Sequence, residues 1–389
     1  MTREKSLGKV LLSIVIAITM IGIPANIFIA RSASASPATI VVPDDYTSIQ
    51  AAINAASDGD TVYVRAGIYT ESIYILNKNI NIVGEDGAVI KCPASPNDVT
   101  IGSHAYDYVV GIFGGTYTST NDTVWGSGNV HVNFSGFTID CNDFVPGDRF
   151  AGILCYNVIG EISDNTVENV YVDGKETFGI LCYGDMDITI EGNTVDQFAR
   201  GGIGVNGGTC DIIGNTVIGP GVGVPVTWAP NGIQVGYGAS GTIAGNDVSG
   251  CGWPGTDWCG TGIMVVDTSN VIVDNNYVHD NEQAIAVVDA PAAWGSPWDE
   301  RTASNIIVSN NTVENNEWGL QIANDIDDVL VEHNNFYNNI NDAIDVWNYS
   351  VCPATPTNVS IHYNNIVGSG VDGLWVGDYV TDTVDARYN

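Results

Sequence analysis

Residues 202–217 have the sequence GIGVNGGTCDIIGNTV, which contains two short patterns that recur along the chain. The first is a small residue, then Ile or Leu, then any residue, then an apolar residue, as in residues 202–205. The second is an apolar residue followed three positions later by Asn and five positions later by another apolar residue, as in residues 212–217. Both patterns alternate apolar side chains with a period of two, which is typical of β-strands that bury one face.

The two patterns alternate strictly through most of the chain. The first recurs in residues 152–155, 179–182, 202–205, 232–235, 262–265, 284–287, 319–322, 343–346 and 373–376. One such unit cannot bury its apolar face alone, but stacked units can, with each strand pairing to its equivalent in the next coil at ~4.8 Å. No part of this region has the 3.6-residue period of a helix. The repeats therefore predict an all-β solenoid, a parallel β-helix.

The second pattern places Asn at an equivalent corner of each coil. A buried corner leaves main-chain polar groups in need of partners. Asn tolerates the dihedral angles of tight turns, and stacked amides can bond from coil to coil. The predicted members of this structural ladder are Asn165, Asn193, Asn215, Asn246, Asn276, Asn311, Asn334 and Asn364.

The first 35 residues have the features of a secretory signal peptide. Three basic residues precede the apolar residues 10–23, and the small-residue segment 33–35 (ASA) follows. This order predicts a cleavable export signal over residues 1–35, and an uncleaved N-terminal anchor is the alternative. The protein is therefore expected to be extracellular or attached to the cell surface.

Residues 36–100 are predicted to form the N-terminal cap and the first coils, and residues 101–389 the remaining repeats. Residues 46–56 (YTSIQAAINAA) are the one convincing amphipathic helix, suited to close the open end of a solenoid. Strands are predicted at Thr39–Val42, Thr61–Val64, Ile73–Leu76, 80–83 and 88–90.

The charge of the chain is strongly acidic, with 45 acidic against 12 basic residues and a net charge of −33. This balance argues against nucleic acid as a partner, and against membrane contact beyond the signal segment, because both need cationic groups. The acidic groups either attract cations such as Ca²⁺ or keep the protein soluble. The candidate Ca²⁺ ligands are Asp325, Asp327 and Asp328.

The eight cysteines can form disulfides in an exported protein. Cys251 and Cys259 bracket one loop rich in Gly and Trp and are the most plausible pair. Cys155 and Cys182 occupy an inward column that Val fills in later coils. Two alternatives stay open for them, a bond across adjacent coils or two buried, unpaired thiols.

The N-terminal segment VPDDYTSIQAAI (residues 42–53), with GDTVYV (59–64) and GIYTE (67–71), resembles the opening of pectin-lyase-like β-helix proteins. The later Gly-Ile and Asn-Thr-Val units resemble the NosD-type β-helix repeat. The resemblance covers residues 39–389 and implies a right-handed parallel β-helix. It implies no single activity, because the superfamily includes lyases, esterases, hydrolases, epimerases and members without known catalysis.

The NosD name implies a role in copper delivery, which the sequence does not support. Copper sites need closely spaced His, Cys or Met, and the five His residues here are scattered. Residues 383–389 resemble a segment that continues further in NosD-type repeats, so the chain is expected to be truncated. The last coil is then an exposed edge through which self-association is expected.

Long corner loops are the expected location of function, because the residues of the coils pack against the core and against neighbouring coils. Residues 218–231 and 249–261 lie at one corner of consecutive coils, beside residues 168–177 and 196–200. A second corner carries residues 289–304 and 347–358. Indole faces stack on sugar rings, although these rings could instead pack as small cores within their own loops. The carbohydrate-binding candidates are Trp228, Trp253, Trp258, Trp294 and Trp298.

Catalysis on a polysaccharide would need acid–base groups at these loops. A hydrolase needs two carboxylates that flank the scissile bond, but the acid-rich residues 324–328 and 341–345 match no hydrolase motif and are expected in solvated turns. A lyase would need a cationic base beside Ca²⁺ carboxylates. The candidate catalytic residues are Lys175, Arg200, Asp173, Asp196 and Asp257.

These patterns favour a secreted or cell-surface β-helix that binds carbohydrate or contributes to an envelope layer. Its expected partner is a polysaccharide or envelope glycan. The alternative is a polysaccharide lyase or glycoside hydrolase that acts on an acidic polysaccharide beside the first corner. Carboxylates that converge beside Arg200 or Lys175 would favour the enzyme.

Overall fold

The computed structural model describes residues 36–118, 123–142, 144, 146–255, 259–290, 303–349, 352 and 354–389. The predicted signal, residues 1–35, therefore lies outside the described residues, as do Asp257, Trp258, Trp294 and Trp298. Within the described ranges, no helix is long and apolar enough to cross a bilayer.

The described chain contains one short helix, α1 (Ile49–Ala55), and many short strands. The first ten strands are β1 (Thr39–Val42), β2 (Thr61–Val64), β3 (Gly67–Thr70), β4 (Ile73–Leu76), β5 (Ile80–Gly84), β6 (Ala88–Lys91), β7 (Asn97–Ile101), β8 (His104–Phe113), β9 (Thr116–Thr118) and β10 (Thr123–Trp125). The next fourteen are β11 (Val130–Ser135), β12 (Thr138–Asp140), β13 (Arg149–Tyr156), β14 (Val158–Ser163), β15 (Thr166–Glu168), β16 (Glu176–Tyr183), β17 (Asp187–Glu191), β18 (Thr194–Asp196), β19 (Gly201–Asn206), β20 (Thr209–Ile213), β21 (Thr216–Ile218), β22 (Asn231–Gly236), β23 (Ser240–Ala244) and β24 (Asp247–Ser249). The remaining strands are β25 (Thr261–Val266), β26 (Val271–Asp274), β27 (Tyr277–His279), β28 (Gln283–Val288), β29 (Ala303–Ser309), β30 (Thr312–Glu314), β31 (Trp318–Ala323), β32 (Ile326–Glu332), β33 (Asn335–Tyr337), β34 (Ile344–Trp347), β35 (Thr357–His362), β36 (Asn365–Val367) and β37 (Trp375–Val376).

The strands form three sheets that run along the solenoid. Sheet A has the order β1-β2-β5-β11-β14-β17-β20-β23-β26-β29-β32-β35, and sheet B has the order β3-β6-β12-β15-β18-β21-β24-β27-β30-β33-β36. Sheet C runs from β8 through β13, β16, β19, β22, β25, β28, β31 and β34 to β37. Each regular coil gives one strand to each sheet, and neighbouring coils pair in parallel, as β14, β15 and β16 do with β17, β18 and β19. The predicted all-β parallel β-helix is confirmed.

The core is a set of apolar columns inside the three sheets. In sheet C, Ile180 pairs with Ile203 and Ile203 with Ile233, and all three side chains are fully buried. Burial of one such side chain contributes about 1.5–3 kcal/mol. Because each coil packs only against its neighbours, the apolar columns run along the solenoid and do not converge on a single central core, as expected of this fold.

The Asn ladder runs along the corner between sheets A and B. The main-chain N–H of Asn215 and its side-chain Nδ2 both donate to Oδ1 of Asn246, at 2.9 and 3.0 Å. The same Nδ2 also donates to the carbonyl of Ile190 at 2.8 Å. The pattern repeats from Asn165 to Asn364, and Asn389 accepts from Asn364 in the same way. Each amide thus satisfies main-chain groups of the preceding coil and bonds to the Asn amide of the following coil.

A second, shorter Asn ladder lies at the corner between sheets B and C and was not predicted. The Nδ2 of Asn281 donates to Oδ1 of Asn316, and that of Asn316 to Oδ1 of Asn339, both at 3.1 Å. Its members follow members of the first ladder by five residues in three successive coils. That interval was visible in the sequence.

Helix α1 covers the N-terminal end of the coils. It is shorter than the predicted 46–56, because Ser48 is its N-cap and accepts the N–H of Ala51 at 3.2 Å. The carboxylate of Glu71 accepts the N–H groups of Ile49 and Gln50 at the same end. At the other end, Lys78 donates to three carbonyls of the last turn, an arrangement that offsets the helix dipole.

Strands β7–β10 (residues 97–125) form an excursion that the repeat pattern did not predict. Strand β7 pairs antiparallel with β8, and β9 pairs antiparallel with β10. Val99 and Val124 belong to the same buried cluster as Leu154 and Leu181, which point outward from sheet C. The excursion therefore covers the outer face of sheet C in the first coils.

All eight cysteines are free thiols. The predicted disulfide between Cys251 and Cys259 is not formed in the structure, where the two thiols face different groups. Cys251 is fully buried, and its Sγ faces the carbonyl of Ser249. Burial raises the pKa of the Cys259 thiol, and the neighbouring carboxylate of Glu282 raises it further.

Candidate functional site

Four consecutive coils place their longer loops at the corner between sheets B and C. These loops are residues 169–175, 197–200, 219–230 and 250–260, of which 256–258 lie outside the described residues. We call this region the Trp corner. It contains Asp173, Lys175, Arg200, Trp228 and Trp253, five of the residues predicted from sequence.

The indole of Trp253 connects two of these loops. Its Nε1 donates to the carbonyl of Thr227 at 3.3 Å. Its main-chain N–H donates to the carboxylate of Glu282 at 2.7 Å, and the N–H of Gly260 donates to the same oxygen at 2.7 Å. One carboxylate therefore holds both ends of the loop that carries Trp253.

The loop that carries Trp228 is held by two earlier coils. Thr227 donates its hydroxyl to Asp173 at 3.0 Å. Arg200 donates from Nη1 to the carbonyl of Ala229 at 2.7 Å. Trp228 lies between these two anchored residues, and it keeps 38% of its surface exposed.

Three cations lie where successive strands enter sheet C. Arg149 pairs with Glu176 at 3.0 Å and donates to the hydroxyl of Tyr106. Lys175 lies 3.9 Å from Asp148, a long contact with an exposed carboxylate. Arg200 has no carboxylate within salt-bridge distance in the part of the chain that the structure describes.

A row of amides faces outward from sheet C beside the Trp corner. Gln234 lies between the buried Ile233 and Val235, so the alternation of the strand points it outward. Its Nε2 donates to Asn206 at 3.0 Å, and its Oε1 accepts from Asn231 at 2.9 Å. These groups supply donors and acceptors in the coils between the excursion and the later loops.

Two carboxyl groups of this region have raised pKa values. Burial raises the pKa of Glu282, and the neighbouring Glu317 raises it further, while the N–H groups of Gly260 and Trp253 oppose the change. Burial also raises the pKa of Asp196, at the end of β18. Neither carboxylate forms a salt bridge with Arg200 or Lys175, so the described residues show no convergent acid–base pair there.

At the second corner, Trp347 is a neighbour of two further aromatic rings. Its ring centroid lies 4.3 Å from that of Tyr349 and 6.5 Å from that of Trp375. Trp347 and Tyr349 pack against a small cluster on the outer face of sheet C. The other Trp residues predicted at this corner, Trp294 and Trp298, lie outside the described residues.

The predicted Ca²⁺ ligands do not converge. Asp327 accepts from the hydroxyl of Thr357 at 2.8 Å, and Asp328 accepts from the amide of Asn358 at 3.1 Å. These carboxylates are engaged with the next coil. Over the described ranges, no group of three or more His, Cys, Asp or Glu side chains, Asp325 included, is placed to hold a metal ion.

A pair of buried carboxyl groups lies further along sheet C. The expectation that residues 341–345 form a solvated turn is wrong, because Asp342 and Asp345 are only 8% and 5% exposed. Asp342 is a close neighbour of the Asp345 carboxyl group, whose Oδ1 has no hydrogen-bond partner among the described residues. Burial, then Asp342, then Asp372 raise the pKa of Asp345 to about 7. The sequence shows the acidic cluster but not its burial.

Comparisons with known proteins give the same architecture. A family model described as "Right handed beta helix region" matches residues 178–385. An alginate lyase from a Paenibacillus species is 14% identical, with a TM-score of 0.50 over 86% of this chain and 99% of its own. The Dettilon tailspike protein is 15% identical, with a TM-score of 0.49 over 87% and 68%.

The A-module of a mannuronan C-5 epimerase from Azotobacter vinelandii is 16% identical, with a TM-score of 0.41 over 88% of this chain and 96% of its own. At these identities the likeness concerns the fold alone. No curated protein matches the sequence. The narrower assignment to NosD-type repeats stays a prediction.

Proposed function

The chain belongs to the right-handed β-helix family, and from that premise we propose that it binds a polysaccharide chain at the Trp corner. The proposal includes a location outside the cell or on its surface, because residues 1–35 have the pattern of an export signal. The adjoining outer face of sheet C forms the second part of the binding surface.

The observation that carries the proposal is the network around Trp228. Asp173, Arg200 and Glu282 come from three different coils, and each fixes part of the two Trp loops. An aromatic ring held in place while more than a third exposed can stack on a sugar without further loss of entropy. A ring that served only to pack its own loop would not need to remain open to solvent.

The polar groups beside the rings suit the rest of a sugar chain. Hydroxyl groups need donors and acceptors close to the stacking ring, and the amides of Asn206 and Gln234 supply both. Arg200 keeps its charge without a carboxylate partner in the described residues. A guanidinium pairs well with a carboxylate, so a uronate-containing polymer is the favoured ligand class.

A second candidate function is cleavage of the polysaccharide, as a lyase or a glycoside hydrolase. Asp345 favours it, because a carboxyl group with a pKa near 7 can donate a proton at neutral pH. Asp345 is in register with Trp375, which is 41% exposed, on the same sheet C. An aromatic ring beside a protonated carboxyl group suits a sugar-binding acid site.

The test is a binding survey of the purified protein against uronate-containing and neutral polysaccharides by isothermal titration calorimetry. We expect binding to a uronate polymer and at least a tenfold loss in the Trp228→Ala variant. The matched control is Trp125→Ala, which removes a similarly exposed Trp from the excursion. Equal losses in both variants, or no binding by the folded protein, would overturn the proposal.

Product analysis separates the two candidates. Binding without new reducing ends supports a binding or envelope-structural protein. New ends with 4,5-unsaturated products indicate a lyase, and new ends without them indicate a hydrolase. If cleavage depends on Asp345, the Asp345→Asn variant loses product formation and keeps binding.

A further inference from the structure

Cys155 and Cys182 lie directly opposite each other in neighbouring coils. They are register partners in strands β13 and β16 of sheet C. Both side chains are fully buried inside the solenoid. Their strand neighbours Ile153 and Ile180 are register partners as well, so the two cysteines extend an ordered column of the core.

The strand register places the two side chains next to each other. Neighbouring parallel strands lie about 4.8 Å apart, which is inside the Cα–Cα range of disulfides, about 4.4–6.8 Å. Both side chains point to the same face of the sheet, and the neighbouring Cys155 thiol raises the pKa of Cys182. Formation of a bond between them needs no movement of the chain from one coil to another.

The other cysteines are less well placed for such a bond. The register partners of Cys210 are Ile188 and Gly241, so it has no thiol opposite it. Cys92 and Cys141 lie one coil apart, but each turns its Sγ towards a carbonyl, that of Pro93 and that of Ile139. Among the eight thiols, Cys155 and Cys182 are distinguished as register partners in neighbouring strands.

We propose that Cys155 and Cys182 are a disulfide site that joins two coils when the chain folds in an oxidising compartment. Each thiol loses a proton, and two electrons pass to a disulfide of the oxidant, which is reduced to two thiols. Oxidised glutathione, or a thiol–disulfide oxidoreductase in its disulfide form, is an oxidant of this class. The inference concerns the core and does not depend on the proposed polysaccharide site.

Burial decides when this bond forms. In the folded protein, the neighbouring Cys155 thiol and desolvation hold the pKa of Cys182 well above its ordinary value. The reactive thiolate form is therefore scarce. Oxidation therefore occurs during folding, before these two coils are packed and while the thiols are still accessible to solvent. Once closed, the same burial keeps reductants away from the bond.

The test compares the full chain produced with export to a bacterial periplasm with the same chain produced in the cytoplasm. Both samples are unfolded in an alkylating agent without reductant, digested and analysed by mass spectrometry. We expect the exported sample to contain a cross-linked peptide pair with Cys155 and Cys182, and the cytoplasmic sample to contain both residues alkylated. Full alkylation of both residues in the exported sample would overturn the proposal, as would a bond from either one to another cysteine.

A stability measurement adds an independent readout. The closed loop of about 27 residues predicts a melting temperature about 4 °C higher in the exported sample than after its reduction and refolding. The Cys182→Ala variant should lose this difference, and the Cys210→Ala variant should keep it. Equal differences in melting temperature in the two variants would contradict the assignment. If either variant fails to fold, the peptide map of the natural chain decides the question.

Discussion

The carboxylate of Glu282 accepts the main-chain N–H of Trp253, which lies in the neighbouring coil of the solenoid, at 2.7 Å. The same oxygen accepts the N–H of Gly260, so this side chain closes the loop that presents the indole. The position of the aromatic ring is therefore set by a residue of a different coil. Such a contact can be removed without changing the ring itself.

Glu282→Ala should loosen the Trp253 loop and leave the coils intact. Two main-chain N–H groups lose their acceptor, so hydrogen exchange at Trp253 and Gly260 should accelerate by at least tenfold. Polysaccharide affinity should fall by about threefold to tenfold, because the ring must be ordered on binding. The Glu191→Ala variant, which changes an exposed carboxylate of sheet A, is the control. Unchanged exchange in the loop would contradict the role of Glu282.

Asn246→Ala should destabilise the solenoid by about 2–4 kcal/mol, because the ladder donors of Asn215 lose their acceptor in a buried corner. Urea denaturation measures the change. The exposed Asn129→Ala is the control and should change stability by less than about 0.5 kcal/mol. A loss of the same size in both variants would show that the ladder does not supply the stabilisation.

Gly241 should not tolerate a side chain. Its φ is +137°, and an added Cβ would lie against the carbonyl oxygen of Cys210. Gly241→Ala should cost more than about 3 kcal/mol or prevent folding. Gly245→Asn is the matched control, because Asn275 and Asn310 hold the equivalent place in later coils with φ of 53° and 55°. Soluble yield and urea denaturation of the two variants should differ sharply.

Ionisation of Asp345 should make stability fall with rising pH. Its pKa is about 7 in the folded protein, against about 3.9 in an unfolded chain, so the folded state binds the extra proton between these values. The contribution is fully present below about pH 4 and is lost by about pH 7, with a total of at most about 4 kcal/mol.

Asp345→Asn tests this dependence because it removes the titration and keeps the shape. The stability of the variant relative to the natural protein should rise steadily between pH 4 and pH 7 in urea denaturation. The Asp325→Asn variant should follow the natural curve throughout. Parallel curves for Asp345→Asn and the natural protein would show that this carboxyl group does not titrate in the window.

The sequence was sufficient to predict the repeating part of the fold. The predicted strands Thr39–Val42, Thr61–Val64 and Ile73–Leu76 have the same bounds in the structure. These strands are short, and their period of two coincides with burial, so local pattern and global packing agree. The helix begins three residues later than predicted, at Ile49 instead of residue 46, because Ser48 caps its N-terminus.

The features that were missed depend on contacts between distant residues. The excursion of residues 97–125 has no repeat pattern, and its place over Leu154 and Leu181 follows only from the assembled coils. Asp345 stands in an acidic segment that looks solvated, but strand β34 carries it into a buried position. At the Trp corner, the sequence predicts that the loops lie next to each other. It does not predict that the carbonyls of Thr227 and Ala229 accept the hydrogen bonds that hold them.

The Asn ladder also makes the coils interchangeable as building units. Because Asn215 and Asn246 make the same set of bonds to the coil on either side, residues 215–245 form a module with matching joints. Excision of that module would bring Asn193 against Asn246 with every amide still partnered. A protein engineer could therefore shorten, lengthen or splice this solenoid at the ladder, and could transplant the loops of the Trp corner as complete cassettes.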